Sequence, residues 1–413
     1  MALLPRELRR RWKGSVGVDA TLIRSHARAE KRSRRRTSKR DKPVVEMHSV
    51  DPDAAWYRRE PDQRDDYRQG AAGSGKIAWG FEATLAVSGP DQPDADQVFP
   101  NLVVAMAVLH QPGHDVGHNG TEALASLSER GYPAHYLAAD RAYSSAKAED
   151  FQLAALAFGY RPVYDYKIDQ LGVKASAQGF LQIEGAWYCP SIPTPVIDAT
   201  LDYREGRIDE ATYRARLEER WRYRARPKSN LDAEGHGRFQ CPAANPWPLA
   251  RCDLKPTSVR SETAGRLRIT VRSDVGAKPP PSCSQQSVTI PPEAGAKFAQ
   301  ALLYGSAEWQ ATYNLLRNTN EGMNGYLKDP AHEALDDPGR RRIHGVAAQS
   351  VLVAFLILAA NVRKIRSFLL VTRTGPGTAQ RRSRRRRTRS IENWRPQSPS
   401  VPVATGPDPP LIA

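Results

Sequence analysis

Val16-Gly-Val-Asp-Ala-Thr-Leu-Ile23 is an apolar, β-branched run closed upstream by Lys13-Gly14, and it reads as a buried strand. Asp19 stands in its middle. An ionised carboxylate in such a strand is costly unless it is paired or bound to a metal, so the run predicts a sheet and a site together. A second run, His135-Tyr-Leu-Ala-Ala-Asp-Arg-Ala-Tyr143, follows a helical segment, and its apolar part ends at Asp140. Ser144 and Ser145 are candidate caps for the helix beyond it. A carboxylate at a strand tip, just ahead of a helix, is well placed to meet a ligand. Taken singly, each aspartate reads more simply as a cap or a hydrogen-bonded acid.

A third carboxylate changes that balance. In Tyr313-Asn-Leu-Leu-Arg-Asn-Thr-Asn-Glu-Gly-Met-Asn-Gly-Tyr-Leu-Lys328, Arg317 and Glu321 are four residues apart and Lys328 lies seven beyond, so all three share one helix face. Against a polyanion the two cations can hold phosphates while the glutamate faces a metal. Alone, the segment is an ordinary solvated helix with one i,i+4 pair. With Asp19 and Asp140 it reads as a three-carboxylate metal site acting on DNA.

On Gly17-Val-Asp-Ala-Thr, Ala139-Asp-Arg-Ala-Tyr and the Arg317, Glu321, Lys328 spacing, the chain resembles the DDE transposases of bacterial insertion sequences, those with a Tyr-Arg-Glu-Lys signature, over residues 14–370. Two positions depart from the family pattern. Asn314 stands where the signature tyrosine usually lies, with Tyr313 one place earlier, and Arg141-Ala142-Tyr143 replaces the usual Arg-Gly-Tyr, a small loss of backbone freedom. The resemblance implies an α/β fold: a ribonuclease H-like core, with a mixed five-stranded sheet and flanking helices, carrying a large inserted β-containing domain. It implies Asp19, Asp140 and Glu321 as catalytic carboxylates and ligands of two Mg²⁺ ions, for which Mn²⁺ substitutes. By the family's logic Asp19 bridges both ions, Arg317, Lys328 and Arg141 hold DNA, and Tyr313 stands in for the displaced tyrosine. Trp309, ahead of the signature helix, is a candidate to stack on an unpaired base, with core packing as the commoner role for a tryptophan.

The implied activity is hydrolysis at transposon ends followed by strand transfer, with double-stranded DNA, both ends and target, as partner and a homodimer at synapsis. Asp19 comes so early that the usual N-terminal DNA-recognition region is missing, and the chain is expected to be a truncated copy. Two alternatives are a DNA-binding remnant with a defective core and a two-metal nuclease that cuts without joining.

Composition agrees with a polyanionic partner. The chain has 413 residues, and 61 basic against 45 acidic residues give a net charge of +16, typical of nucleic-acid binding. No apolar stretch follows the basic start, so no signal peptide is expected. Val351 to Ala360, the longest apolar segment, is shorter than the ~20 residues needed to span a bilayer and reads as a buried helix. The expected location is cytoplasmic, at the nucleoid, with no membrane partner. Four cysteines do not suggest a disulfide scaffold.

The expected order along the chain is a meander of three strands (Val16–Ile23, Lys76–Val87, Val98–His110), with Arg28 to Lys42 an irregular loop. A helix over Thr121–Arg130 capped by Asn119 follows, then the Asp140 strand, a helix over Ala146–Phe158 and a strand over Arg161–Tyr166. The gap between Asp140 and Glu321 is too long for a loop. Strand-like pieces at Phe180–Tyr188, Leu267–Val271 and Ser287–Ile290 and a charged helix over Asp209–Arg226 fill it. The expected divisions are 1–167 and 301–370 for the core, 168–300 for the insertion and 371–413 for a disordered, basic, proline-rich tail. His110, His114 and His118 have the i, i+4, i+8 spacing of a metal-binding helix face, which Pro112 and Gly113 interrupt. Cys189, Cys241, Cys252 and Cys283 all fall in the insertion and none forms a Cys-x2-Cys pair, leaving buried thiols or a zinc site. The Arg-rich runs Arg32–Arg40 and Arg381–Arg389 suit sequence-independent phosphate binding.

Overall fold

The computed structural model describes residues 3–30, 48–59, 76–93, 98–232 and 234–374. The described residues divide into two compact units, one drawn from residues 3–135 and 315–374 and the other from residues 136–314. It is mixed α/β, with antiparallel and parallel strand pairing and flanking helices.

In the first unit β1 (Val16–Arg24), β2 (Ala55–Arg59), β3 (Lys76–Ser88) and β4 (Val103–Met106) pair antiparallel around β3. Every residue of β1 is opposite one of β3, from Val16 against Ser88 to Arg24 against Gly80, and Asp19 faces Leu85 across the ladder. The expected meander is present with one added strand, β2, whose sequence offers only Trp56 and Tyr57 as strand formers before two arginines. The third strand is shorter than the run that announced it. Pro100 has no N–H to give a ladder, and its carbonyl accepts the Ser88 hydroxyl instead.

Ile23, Phe81, Leu85, Val87, Val103 and Leu109 form a core with Met323 and Leu327, and with Val353, Ile357 and Ala360 of the C-terminal helix Val346–Thr374. Each large aliphatic side chain buried there contributes roughly 1.5–3 kcal/mol. Asn361 locks this helix to β4, its side chain accepting the Val103 N–H at 3.0 Å and donating to the Val103 carbonyl at 2.8 Å. The expectation of a short, buried helix over Val351–Ala360 is corrected here. Apolar residues lie all round it, so Val353 and Ile357 are buried while Val351, Phe355, Leu358 and Val362 are exposed. Because the charged residues Arg363, Lys364 and Arg366 lie past its apolar stretch, the segment Val346–Thr372 is long and apolar enough to cross a bilayer by length and composition. The helix continues past Val371 to Thr374, where the tail was expected to begin; residues 375–413, and with them the second Arg-rich run, lie outside the described residues, as do residues 31–47 with the first.

The helix expected from Thr121 begins at Val116, preceded by Asp115 at φ 47°. Asn119 is therefore inside its first turn and not a cap, with its amide donating to the His114 carbonyl at 2.9 Å.

In the second unit β5 (Tyr136–Ala139) and β6 (Arg161–Pro162) pair in parallel. β6 is shorter than the expected strand, although Val163 still donates to the Leu137 carbonyl. Downstream come the antiparallel strands β7 (Val173–Ala177), β8 (Phe180–Ile183) and β9 (Ala186–Tyr188), and short ladders joining residues 226–227, 237–240 and 288–290. Arg251–Cys252 pairs in parallel with Arg268–Ile269. The charged helix runs from Glu210 to Arg222, and Asp209 caps it by accepting the Thr212 N–H at 2.8 Å. Its Arg220 is buried, paired with Glu184 and donating to the Val196 and Ile197 carbonyls.

Candidate active site

The signature helix runs from Ala307 to Leu327, and Lys328 extends its hydrogen-bonding by donating its N–H to the Asn324 carbonyl at 3.2 Å. At ~100° per residue, Arg317, Glu321, Asn324 and Lys328 occupy one stripe, with Asn320 at its margin. Asn324 meets the first aspartate: its Nδ2 donates to Asp19 Oδ2 at 3.1 Å. Asp19 Oδ1 accepts its neighbour's N–H, from Ala20, at 2.9 Å. One turn earlier Asn320 sits against the β1 backbone, donating to the Gly17 carbonyl and accepting from the Val18 N–H, each at 3.1 Å. Gly17 makes that approach sterically feasible, since a Cβ there would lie 2.6 Å from a terminal atom of the Asn320 amide. Asn320 and Asn324 thus dock the helix on the strand that carries Asp19.

Glu321 is solvent-accessible and accepts the Arg317 Nε–H at 3.0 Å. Asn324 Oδ1 is buried and has no hydrogen-bond partner among the described residues. A buried acceptor left unsatisfied costs about 1–3 kcal/mol, and beside a half-buried carboxylate it completes a set of hard oxygen donors. Oxygen donors of this kind suit Mg²⁺ or Mn²⁺ over softer ions, but Asp19 and Glu321 belong to no group of three His, Cys, Asp or Glu ligand atoms within 4.8 Å among the described residues.

Asp140, in the second unit, is exposed at the end of β5. It caps the short helix Arg141–Ser144 itself, accepting the Arg141 N–H at 2.8 Å, while the helical segment expected after Ser144 and Ser145 starts at Ala148 with Lys147 at its cap position and no side-chain cap, so neither serine caps it. The Arg141 guanidinium is bound to Asp165, its Nε donating at 3.0 Å and its Nη2 closer still. Arg204 donates to the same carboxylate at 3.1 Å and the Tyr304 hydroxyl at 2.7 Å. Burial acts to raise the Asp165 carboxyl, but the Arg141 and Arg204 charges and the Tyr304 hydroxyl outweigh it and hold the group below the usual carboxylate range. This network fixes the residue that follows Asp140.

Two expected DNA contacts are corrected. Trp309 is buried, its Nε1 donating to the Tyr164 carbonyl at 3.1 Å, and it packs between Tyr304 and Tyr313, parallel to the latter at 5.5 Å. Its ring is a packing element with no face to offer a base. Tyr313 is buried in the same stack, so its ring is committed to the interior. The three histidines do not share a helix face, because only His118 lies in the helix. His110 bonds Thr84 Oγ1 through Nε2, and His114 pairs with Asp115.

Sequence reading passed over Asn320, Asn324, Asp165 and Arg204. The two asparagines carried a usable signal, an i,i+4 pair on the face of the signature helix. Asp165 carried none, since its partners are distant in sequence. Elsewhere, a cavity of roughly 750 Å³ in the second unit, walled by Arg161, Trp187, Arg224, Phe239 and Pro291, contains none of the expected site residues. Asp232, Glu234 and His236 bring three ligand atoms within 4.8 Å on an exposed turn, where Asp232 already accepts the Glu234 and His236 N–H groups.

Comparison of the chain with family models, with curated proteins and with solved structures gave no match. The functional reading accordingly rests on the residues and their chemistry.

Proposed function

We propose that the chain is a DNA transposase of the DDE type, built on a ribonuclease H-like core, which hydrolyses phosphodiesters at transposon ends and joins the freed 3′-hydroxyl to target DNA. The observation that carries this reading is the Asn324 contact to Asp19. It sets the first carboxylate against the helix stripe that bears Arg317, Glu321 and Lys328. In this reading Asp19, Asp140 and Glu321 hold two Mg²⁺ or Mn²⁺ ions, which supply a nucleophile at neutral pH and neutralise the crowded phosphate. Asn324 orients Asp19, and Asp165 orients Arg141 beside Asp140. Arg317 and Lys328 flank Glu321 and bind the phosphates on either side of the scissile bond, Arg317 exchanging its intrahelical glutamate for a bidentate phosphate contact. Double-stranded DNA is the partner, and two copies of the chain act together when two ends are synapsed.

The test uses the full chain with supercoiled plasmid and with a duplex carrying a free 3′-hydroxyl, in Mg²⁺ or Mn²⁺. Nicked and joined products that vanish in Asp19→Asn, Asp140→Asn and Glu321→Gln, with DNA retention unchanged, support a transposase. Cutting without joining identifies a two-metal nuclease. Retention of DNA by the wild type with no cutting in either metal identifies a binding remnant.

A further inference from the structure

The chain's four cysteines, Cys189, Cys241, Cys252 and Cys283, come from four separate segments of the second unit, and all are buried as free thiols. Cys189, Cys241 and Cys252 share one apolar cluster with Ile183, Ile192, Val196 and Ile269. Burying every cysteine of a chain in one region is unremarkable by itself, since a free thiol packs as a small apolar group. Their backbone setting is not accounted for by packing.

Three of the four sit at the head of the same turn. The carbonyl of Cys189 accepts the Ile192 N–H at 3.1 Å, that of Cys241 the Ala244 N–H at 2.9 Å and that of Cys252 the Lys255 N–H at 2.9 Å. In each turn the N–H two residues on, of Ser191, Ala243 and Leu254 respectively, lies close enough to the sulfur to act on the thiol electrostatically. The same turn appears three times, in Cys189-Pro, Cys241-Pro and Cys252-Asp; an amide N–H aimed at sulfur favours a thiolate, against which the bond to Cys241 raises the Cys189 thiol and burial raises that of Cys252. Cys189 and Cys241 are hydrogen-bonded together, while Cys283, whose sulfur receives the Ser282 hydroxyl at 4.0 Å, lies within electrostatic range of the other three.

The surrounding charge fits as well. Lys255 is buried, and its Nζ donates to the Gln285 carbonyl at 2.6 Å without an ion pair among the described residues. Lys255 and Arg226 both act electrostatically on Cys241. Four thiolates around a divalent ion carry a net charge of about −2, which two such cations offset.

We infer that Cys189, Cys241, Cys252 and Cys283 form a structural tetrathiolate site for one Zn²⁺ ion, tying four segments of the second unit together. The quartet is more open than a closed centre, because the three-ligand group within 4.8 Å among the described residues is Asp232, Glu234 and His236. Zn–S bonds of ~2.3 Å set sulfurs about 3.8 Å apart in a tetrahedron, so metal uptake draws Cys252 and Cys283 in toward the Cys189–Cys241 pair. Each incoming thiol gives up its proton to solvent, and no oxidation or reduction takes place.

The full chain, purified under reducing conditions without chelator, should contain about one zinc per molecule, released in step with mercurial titration of its four thiols. Co²⁺ exchanged into the wild type should give the intense sulfur-to-metal absorption and strong visible bands of four-thiolate tetrahedral ligation, a readout that needs no variant to fold. Cys283→Ser should weaken zinc retention against a competing chelator at least tenfold. A soluble chain with four free thiols and no zinc, a cobalt spectrum of oxygen ligation, or a Cys189–Cys241 disulfide in non-reducing peptide mapping would each overturn the site. None of these measurements involves DNA or catalysis, so this inference and the transposase reading fail separately.

Discussion

At the scale of single residues, the site depends on side chains that hold others in place. Asn324 contributes one hydrogen bond to Asp19, and outer partners of metal-binding carboxylates typically change metal affinity 10–100-fold when removed. If Asp19 holds Mg²⁺ as proposed, Asn324→Ala should raise the Mg²⁺ concentration that half-saturates DNA nicking by about 10–100-fold while the chain stays folded. An unchanged Mg²⁺ titration would remove Asn324 from the site. Asp165 is the second such residue. Converting it to asparagine leaves the Arg141 and Arg204 guanidiniums partly buried without their carboxylate, at a cost of roughly 3 kcal/mol, readable as a lower midpoint in urea unfolding. Because the folded Asp165 titrates below its ordinary value of 3.8, its stabilisation is fully present above that pH and is lost as the pH falls through the lower, folded value. The wild type should thus lose more stability than Asp165→Asn between pH 4 and pH 2, as seen in acid titrations of circular dichroism; parallel curves would contradict the assignment. Asp19, Glu321 and Arg317 stand out as candidates in the sequence because their types and spacing are unusual together, and the contact of Asp19 with Asn324 puts them on neighbouring elements. Asp165 was not, because a carboxylate in Tyr-Asp-Tyr reveals its partners only once the chain has folded.

At the scale of elements, the decisive contact is between β1 and the signature helix. Gly17 has no side chain, and Asn320 fills the space a Cβ would need. Gly17→Ala should force helix and strand apart, costing about 1–3 kcal/mol as overpacking does and lowering nicking further by shifting Asn324 from Asp19. Thermal melts and the nicking assay run together check this, and an unaltered melting temperature would show that the two elements yield without strain. Long amphipathic or β-branched runs were readable: β1, β3 and the helix Glu210–Arg222 fall where periodicity placed them. The start of the helix at Val116 was hidden by Gly117 and Gly120, which argue for a turn in isolation yet are buried within the helix. β2 was hidden because its residues pair at the edge of β3 and lack the alternation that a buried face imposes.

At the scale of the whole molecule, the net charge of +16 calls for strong salt dependence. If about six phosphates are neutralised, the slope of log K against log salt should be about −5, measured by filter binding or anisotropy on Glu321→Gln to prevent cutting. A slope near zero would argue against a polyanionic partner. Composition raises the expectation of a polyanionic partner, whereas the division into units left no mark on it. The expected insertion began at residue 168, whereas the second unit begins at Tyr136 and takes β5 and Asp140 with it. Contact density, which sets such boundaries, is a property of packed pairs and leaves no local mark in the sequence.

The first unit is discontinuous, and that fixes an order of events during synthesis. Its strands emerge early, but Met323, Leu327, Val353, Ile357 and Ala360, which complete their core, leave the ribosome only after residues 136–314. Residues 136–314, the described part of the second unit, form one stretch of chain and can condense while β1, β3 and β4 still wait, apolar faces open, for the helix Val346–Thr374. Nascent chains halted before residue 350 should accordingly be bound by chaperones and cut by protease within the β1–β4 segment, and chains halted after residue 374 with enough tether to clear the exit tunnel should not. A premature stop ahead of the helix Val346–Thr374 would thus be as damaging to the fold as one ahead of β1.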